Sequence, residues 1–358
     1  MATNDQGFLS GVLNGITSFA QHHLTEYRIN QERLAVLRDD IERVVDASEP
    51  RIRLVGNYLH KLLDPVEDAL VYSDRLLRQI PPAVALGGRA WTQDPRVNAF
   101  FATQDDLRST LGQNPRIRAF FEDDAHRECF AWMLMIKRES ETFGSALDHD
   151  MLVREVRQIR ISFTDHQIFF PNASEAKLRK ELRERTLVFL ATRALERINE
   201  LREQRGALEE QRRQLQAQLR ALRGHTQGLR PLLSSADADE RRVATLEQRL
   251  AQTEQDLVAA RKQLGTLDDY LEQVRQVLSQ PEAYLRIQPL SIRVNRLGLK
   301  LDIDSSEPGE TINLIELVVA GRETDWGTGA FRPRRSGTRG CPLTGALTAI
   351  SAYGLSKR

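Results

Sequence analysis

The chain has 358 residues, of which 41% are hydrophobic and 28% charged, with a formal net charge of +1. That length holds two or three domains with a real apolar core. Near-neutral charge argues against a protein built globally to coat nucleic acid or an anionic membrane, and two cysteines, Cys129 and Cys341, make neither a disulfide framework nor, by themselves, a four-ligand zinc site.

From Asp5 to about Asp46 the pattern is helical. Phe8, Leu9, Val12, Leu13, Ile16 and Phe19 share one bulky face, and Leu34, Leu37, Ile41 and Val44 continue at three-four steps. The opposite face of the first stretch (Ser10, Gly11, Asn14, Gly15, Thr17, Ser18, Gln21) is polar and uncharged, as in helices that sense lipid packing defects. A second apolar pattern covers Glu49 to Ile80. Pro65 interrupts it, and Asp64 with Glu67 suggests a capping box and a new or kinked helix there. Pro81-Pro82 ends the run.

Asp94-Pro95-Arg96-Val97-Asn98-Ala99-Phe100-Phe101 is then echoed by Asn114-Pro115-Arg116-Ile117-Arg118-Ala119-Phe120-Phe121. Asp or Asn before proline caps a short helix. Two copies are too few for a solenoid, so they read as two similar packing helices, with a duplicated docking surface as the sharper alternative. From Glu122 to Leu147 an apolar helix is expected, with Ala125, Cys129, Trp132, Met133 and Ile136 on one face. Ile159, Ile161 and Phe163 then alternate as a strand, Thr164-Asp165-His166 reads as a turn, and Ile168 to Phe170 as a second short strand.

The strongest signal runs from Asn172 to Gln280. Asn172 and Glu175 can cap a helix in which Leu201, Leu208, Leu215 and Leu222 recur every seventh residue, with Leu195, Ile198 and Leu219 on the same seam. After Gly224, Gly228, Pro231 and Ser234-Ser235, a second arm carries Val243, Leu250, Leu257, Leu264, Leu271 and Leu278 at one heptad position. Leu246, Ala260, Leu267 and Val274 hold the other, with Thr253 the polar exception. A strict seven-residue repeat implies knobs-into-holes packing. The break predicts a hairpin with its turn near 229–238, Leu222 meeting Leu246 and Leu201 meeting Leu264 or Leu267, over an arm of about 60 Å. A parallel dimer of the first arm would bring Arg205 and Arg212 against their own copies, which favours the intramolecular hairpin; there Arg212 would lie near Glu254 and Asp256.

Beyond Pro281, Leu290, Ile292 and Val294 alternate, then Leu297, Leu299, Leu301 and Ile303, and Ile312 to Val319 gives a further strand, with Asp304 to Glu310 as a turn. The tail from about Gly327 has no acidic residue and many glycines, arginines and prolines, and reads as disordered and basic.

The expected fold is therefore mainly α with a minor α+β part. A helical domain over 1–150 precedes a coiled-coil hairpin over 172–280, an antiparallel sheet at its base is drawn from 151–171 plus 281–320, and 327–358 is a tail. No phosphate-binding loop, dinucleotide fingerprint, nucleophile elbow or His-Glu-x-x-His motif occurs. His126 and Cys129, with Glu122, Asp123 and Asp124 nearby, fall short of a zinc set, and Cys129 reads better as a buried apolar residue. Asp148-His149-Asp150 reads as a solvated helix end, and Asp165-His166 is the pair to mutate first were an activity found. No catalytic, cofactor-binding or metal residue is assigned. Interleaved Glu196, Glu200, Glu203, Glu209 and Glu210 argue against a nucleic-acid track on the first arm.

The expectation is a non-enzymatic scaffold or interaction protein using its arm as a spacer or docking rod, with a protein partner or self-association. Alternatives are a peripheral membrane protein binding through Phe8, Leu9, Val12, Leu13, Ile16 and Phe19, and a nucleic-acid factor or enzyme whose site is scattered along the chain. With no basic-then-apolar leader and no apolar run near the roughly 20 residues of a membrane span, a cytoplasmic location is expected.

Overall fold

A computed structural model describes residues 31–123, 126–148, 151–226, 236–295, 297–302, 305, 307–319 and 345–353. The fold is mainly helical, with a long helical hairpin and an antiparallel sheet that draws strands from both sides of it in sequence. The described residues divide into two compact units, one within Met1–Ala69 and Leu187–Ser279, the other within Leu70–Thr186 and Gln280–Arg358. The expected helical domain over 1–150 is thus split between them.

In the first unit, helix α1 (31–47) is followed by a 3-10 turn (Pro50–Leu54) and by α2 (Tyr58–Gln79), whose residues beyond Ala69 belong to the second unit. The α1 stripe Leu34, Leu37, Ile41 and Val44 is buried, as are Ile52, Leu62 and Val66. Pro65 lies inside α2 rather than starting a helix, at the loss of one backbone hydrogen bond. Asp64 and Glu67 form no capping box; both accept from Arg33 of α1, Asp64 at 2.9 Å. Tertiary pairing takes both carboxylates away from the cap.

Helix α7 (Glu175–Thr226) and helix α8 (Ala236–Gln263) are antiparallel: Arg223 meets Glu247 at 2.6 Å, Arg261 meets Glu209 at 3.7 Å, and Arg205 Nη1 donates to the Leu264 carbonyl at 3.2 Å. These pairs place residue i opposite residue 470 − i or its neighbour, within a turn of the expected meeting of Leu222 with Leu246. Leu201, Leu215, Leu219 and Leu257 are buried in the seam. Thr253 is also buried, its hydroxyl donating to the Arg249 carbonyl at 2.9 Å. Arg205 therefore caps the end of α8, while Arg212 makes no ion pair with Glu254 or Asp256 among the described residues. Of the turn expected near 229–238, residues up to 235 lie outside the described residues, and 236–238 already belong to α8.

The second arm is not one helix. It breaks at 264–266 and resumes as α9 (Leu267–Ser279). Gly265 is a poor helix former, and Asp269 carboxylate accepts from the backbone N–H groups of Gly265 (2.9 Å) and Thr266 (2.7 Å), giving α9 its own cap. The arm proper is then α8's 28 residues, about 42 Å at 1.5 Å per residue, shorter than expected. Tyr270, Leu271, Val274, Val277 and Leu278 of α9 are buried, as are Leu187, Leu190, Ala194 and Ile198 of α7. Fully burying each large aliphatic side chain contributes about 1.5–3 kcal/mol.

In the second unit the expected helix over 122–147 is a strand. β2 (Glu128–Asp148) pairs antiparallel with β3 (Met151–Asn172). The sheet order is β3-β2-β6-β5-β4, with β4 (Leu285–Val294), β5 (Glu310–Val319) and β6 (Gly345–Tyr353), and β1 (Val84–Leu86) parallel to β6. The reason for the misreading is burial on both faces. Cys129, Ala131, Met133 and Met135 face one cluster with Val97 and Phe100 of α4 (Pro95–Phe100), Phe101 just beyond it, Leu107 of α5 (Gln104–Gln113) and Ile117 of α6 (Pro115–Phe120), against which Ala90 and Trp91 of α3 (Gly88–Gln93) also pack. Trp132, with Phe130 and Leu134 packed alongside, faces a second cluster formed with Leu77, Ile80, Leu178 and Leu182. A strand covered on both sides is apolar at nearly every position, and chance spacing then mimics a helix.

The repeat behaves as packing helices. Asp94 accepts from Arg96 N–H at 2.9 Å and Asn114 from Arg116 N–H at 3.0 Å, and Phe100 and Phe101 are buried. Thr164-Asp165-His166 is no turn: β3 is continuous and carries three one-residue bulges, at each of which a residue has positive φ (Glu155 at 62°, Asp165 at 55°, Phe170 at 54°). Asn172 does not cap α7; Ser174 Oγ accepts from Lys177 N–H at 3.3 Å, while Asn172 donates to Glu181 at 2.7 Å. Of the expected strand over 297–303, the described residues 297–302 show only single bridges at Leu299 and Lys300, and Ile303 lies outside the described residues. Gly298, at φ +75°, turns the chain so that its carbonyl accepts from Ile161 N–H at 2.8 Å. Residues 345–353, expected within a disordered tail, form β6 between β2 and β5. Alanine and glycine there weaken any strand period, and pairing on both sides supplies the order that propensity does not.

Candidate functional site

Among the described residues the most open construction is the α7–α8 arm. Between residues 202 and 224 only Leu215 and Leu219 are buried, and between 240 and 263 only Thr253 and Leu257. Leu208, Leu222, Val243, Leu246 and Leu250 complete the stripe half-buried. The two helices cover each other along one seam and expose their remaining faces, including Val258 at 54%. Charges on those faces are mixed and locally paired, as in Arg213–Glu210 at 2.7 Å, and Gln252 donates to the Asp256 carboxylate at 3.0 Å.

Along one side of the arm the helices part into a groove of about 530 Å³, lined by Gln218, Ala221 and Leu222 of α7 and by Arg241, Arg242, Thr245, Leu246 and Arg249 of α8. Positions 218, 221 and 222, like 242, 245, 246 and 249, share a helical face. Thr245 hydroxyl donates to the Arg241 carbonyl at 2.8 Å, so its polar atom is already engaged.

Where the arm meets the bundle of its own unit, charge is organised around Glu49. Its side chain is 8% exposed and accepts from Arg51 at 2.8 and 3.0 Å and from Arg202 of α7. Both guanidinium groups lie over the Tyr270 ring, Arg51 at 5.5 Å and Arg202 at 4.9 Å. Hydrogen bonds from Arg51, then Arg202, hold the Glu49 carboxyl down to about 2 against the opposing effect of burial. The arrangement locks the 3-10 turn, α7 and α9 together.

The residues singled out by sequence do not converge. His126 stacks on Phe120 at 4.5 Å with Asp123 3.7 Å away. Cys129 is buried in β2, its thiol pushed up to about 11 by burial, the reverse of a reactive cysteine. His149 and Asp150 lie outside the described residues, as do Phe8, Leu9, Val12, Leu13, Ile16 and Phe19. His166 Nε2 donates to the Phe100 carbonyl at 2.8 Å, and its ring stacks on Phe101 at 4.5 Å. Burial lowers its pKa, against the raising effect of that carbonyl. The bulge at Asp165 turns His166 onto α4, where it serves packing. No group of three potential metal ligands occurs among the described residues, and none of their helices is long and apolar enough to cross a membrane.

A smaller cleft of about 360 Å³ in the second unit gathers Arg78, Arg179, Lys180 and Arg183 beside Asp74. Two of its cations are engaged in packing: Arg179 donates to the Leu77 carbonyl at 2.7 Å and to Glu175, and Arg183 lies 3.0 Å from Asp74. The groove on the arm had no sequence signal of its own. Only the antiparallel register brings 218–222 beside 241–249. No protein-family profile matches the chain, and no curated protein or solved structure is detectably similar to it.

Proposed function

We propose that the protein is a non-enzymatic, cytoplasmic scaffolding or protein-interaction protein that uses the α7–α8 arm as a spacer or docking rod. The observation that carries this reading is the arm's exposure on all but its mutual seam. Ordering a residue costs about 1–2 kcal/mol of backbone entropy, and a hairpin that buries one stripe returns little core for it. Such an element adds reach and surface rather than an enclosed site. Its mixed, locally paired charges suit a solvated coil surface and not a phosphate track.

The test is site-specific photo-crosslinking of the full chain in its native cell. A photoreactive residue at Gln211 or Val258 on the arm is expected to cross-link a partner polypeptide. Absence of any arm adduct, with cross-links obtained from Phe143 of β2 instead, would refute the docking-rod reading.

A further inference from the structure

The groove between α7 and α8 encloses about 530 Å³ and is lined by apolar and basic side chains from both helices. Leu222 and Leu246 lie half-buried in it beside the exposed Ala221 and Thr245, and the exposed Arg241, Arg242 and Arg249 line its α8 edge. Leu222 and Leu246 are half-buried where the seam would bury them fully, so apolar surface is left for a third element. Arg241 and Arg249 are two helical turns apart, about 12 Å along the axis. No carboxylate is among the groove-lining residues. The adjacent Glu247 is engaged by Arg223 at 2.6 Å.

From this we infer that the groove seats an amphipathic helix of a partner protein, apolar on one stripe and acidic along the flank that meets Arg241 and Arg249. The inference rests on the docking-rod reading and specifies the partner's chemistry. A helix lays apolar residues at three-four spacing into such a groove, and carboxylates one heptad or two turns apart reach both arginines. A second copy of this chain is the poorer occupant. Two-fold apposition of the same groove would set Arg241 and Arg249 against their own counterparts, and like charges across an interface are disfavoured. An anionic lipid surface would meet the arginines but not the half-buried leucines between the helices.

Binding is measured by fluorescence anisotropy on the full-length protein, with a labelled synthetic heptad peptide carrying leucine at its core positions and glutamate at the flanking positions. Its twin carries lysine at those flanks. The glutamate peptide is expected to bind at least ten-fold more tightly than the lysine twin, and to weaken as salt rises. In R241E/R249E, whose changes lie on the groove rim and whose helicity is checked by circular dichroism, the preference should invert. An unchanged preference in that variant overturns the inference, as does equal binding of the twins or no binding of either. Binding to phosphatidylserine vesicles that is lost in R241E/R249E, without peptide binding, also overturns it in favour of lipid. If the peptide result is negative while cross-links from Gln211 and Val258 persist, the rod reading stands and only the groove assignment falls.

Discussion

Replacing Glu49 by glutamine removes one charge from the Arg51–Glu49–Arg202 cluster while keeping the side chain's shape. The wild-type carboxyl titrates at about 2 in the fold against an ordinary 4.5. At about 1.4 kcal/mol per pK unit the full difference would exceed 3 kcal/mol. Arg51 is 56% exposed, so solvent screens part of that, and about 1–2 kcal/mol is the appropriate expectation. The sign follows from linkage. A carboxylate whose folded pKa is depressed stabilises the fold fully above its unfolded value, and that stabilisation is lost as pH falls from about 5 towards 2. Urea unfolding of the wild type and E49Q, followed by far-ultraviolet circular dichroism, should show the variant less stable by about 1–2 kcal/mol at pH 7. The gap should close progressively on acidification. A stability difference that stays constant between pH 7 and pH 3 would refute the electrostatic account and leave a packing effect.

Asp269→Ala removes the acceptor for the Gly265 and Thr266 N–H groups; a loss of about 1 kcal/mol is expected, with amide exchange of the first turn of α9 accelerating before that of α7. Gly298→Ala places a methyl at φ +75° and 3.2 Å from the Ile161 carbonyl, and should cost about 1–2 kcal/mol of second-unit stability in thermal or urea unfolding. An unchanged midpoint would show that the 295–299 turn relaxes freely.

The hairpin was legible because its cause is local and repeated. Leucine every seventh residue needs a facing stripe, and Gly224 through Ser235 offers the one break that lets the chain supply its own. The sequence also placed the capped helices at Pro95 and Pro115, where Asp94 and Asn114 act on backbone groups two or three residues away. It failed at β2, since Phe130 to Ile136 is buried on both faces and apolarity alone carries no period. It failed again at Asp64 and Asn172, whose side chains accept or donate across distances in sequence that no local rule contains. The break at Gly265 was obscured for a related reason: leucine spacing continues through it, although Thr266 and Asp269 hold the signature of a fresh cap.

Composition and periodicity by themselves determined that long helices exist, which face of each is apolar, and where the chain reverses, because these are properties of neighbours within two or three turns. Tertiary structure alone decided which strands lie side by side, why His166 packs against α4, and that Ala221, Leu222, Thr245 and Leu246 share a groove edged by arginine. Those outcomes depend on the 470 − i register and on pairings between distant segments, and the free energy that selects them comes from surfaces that meet only once the chain has folded.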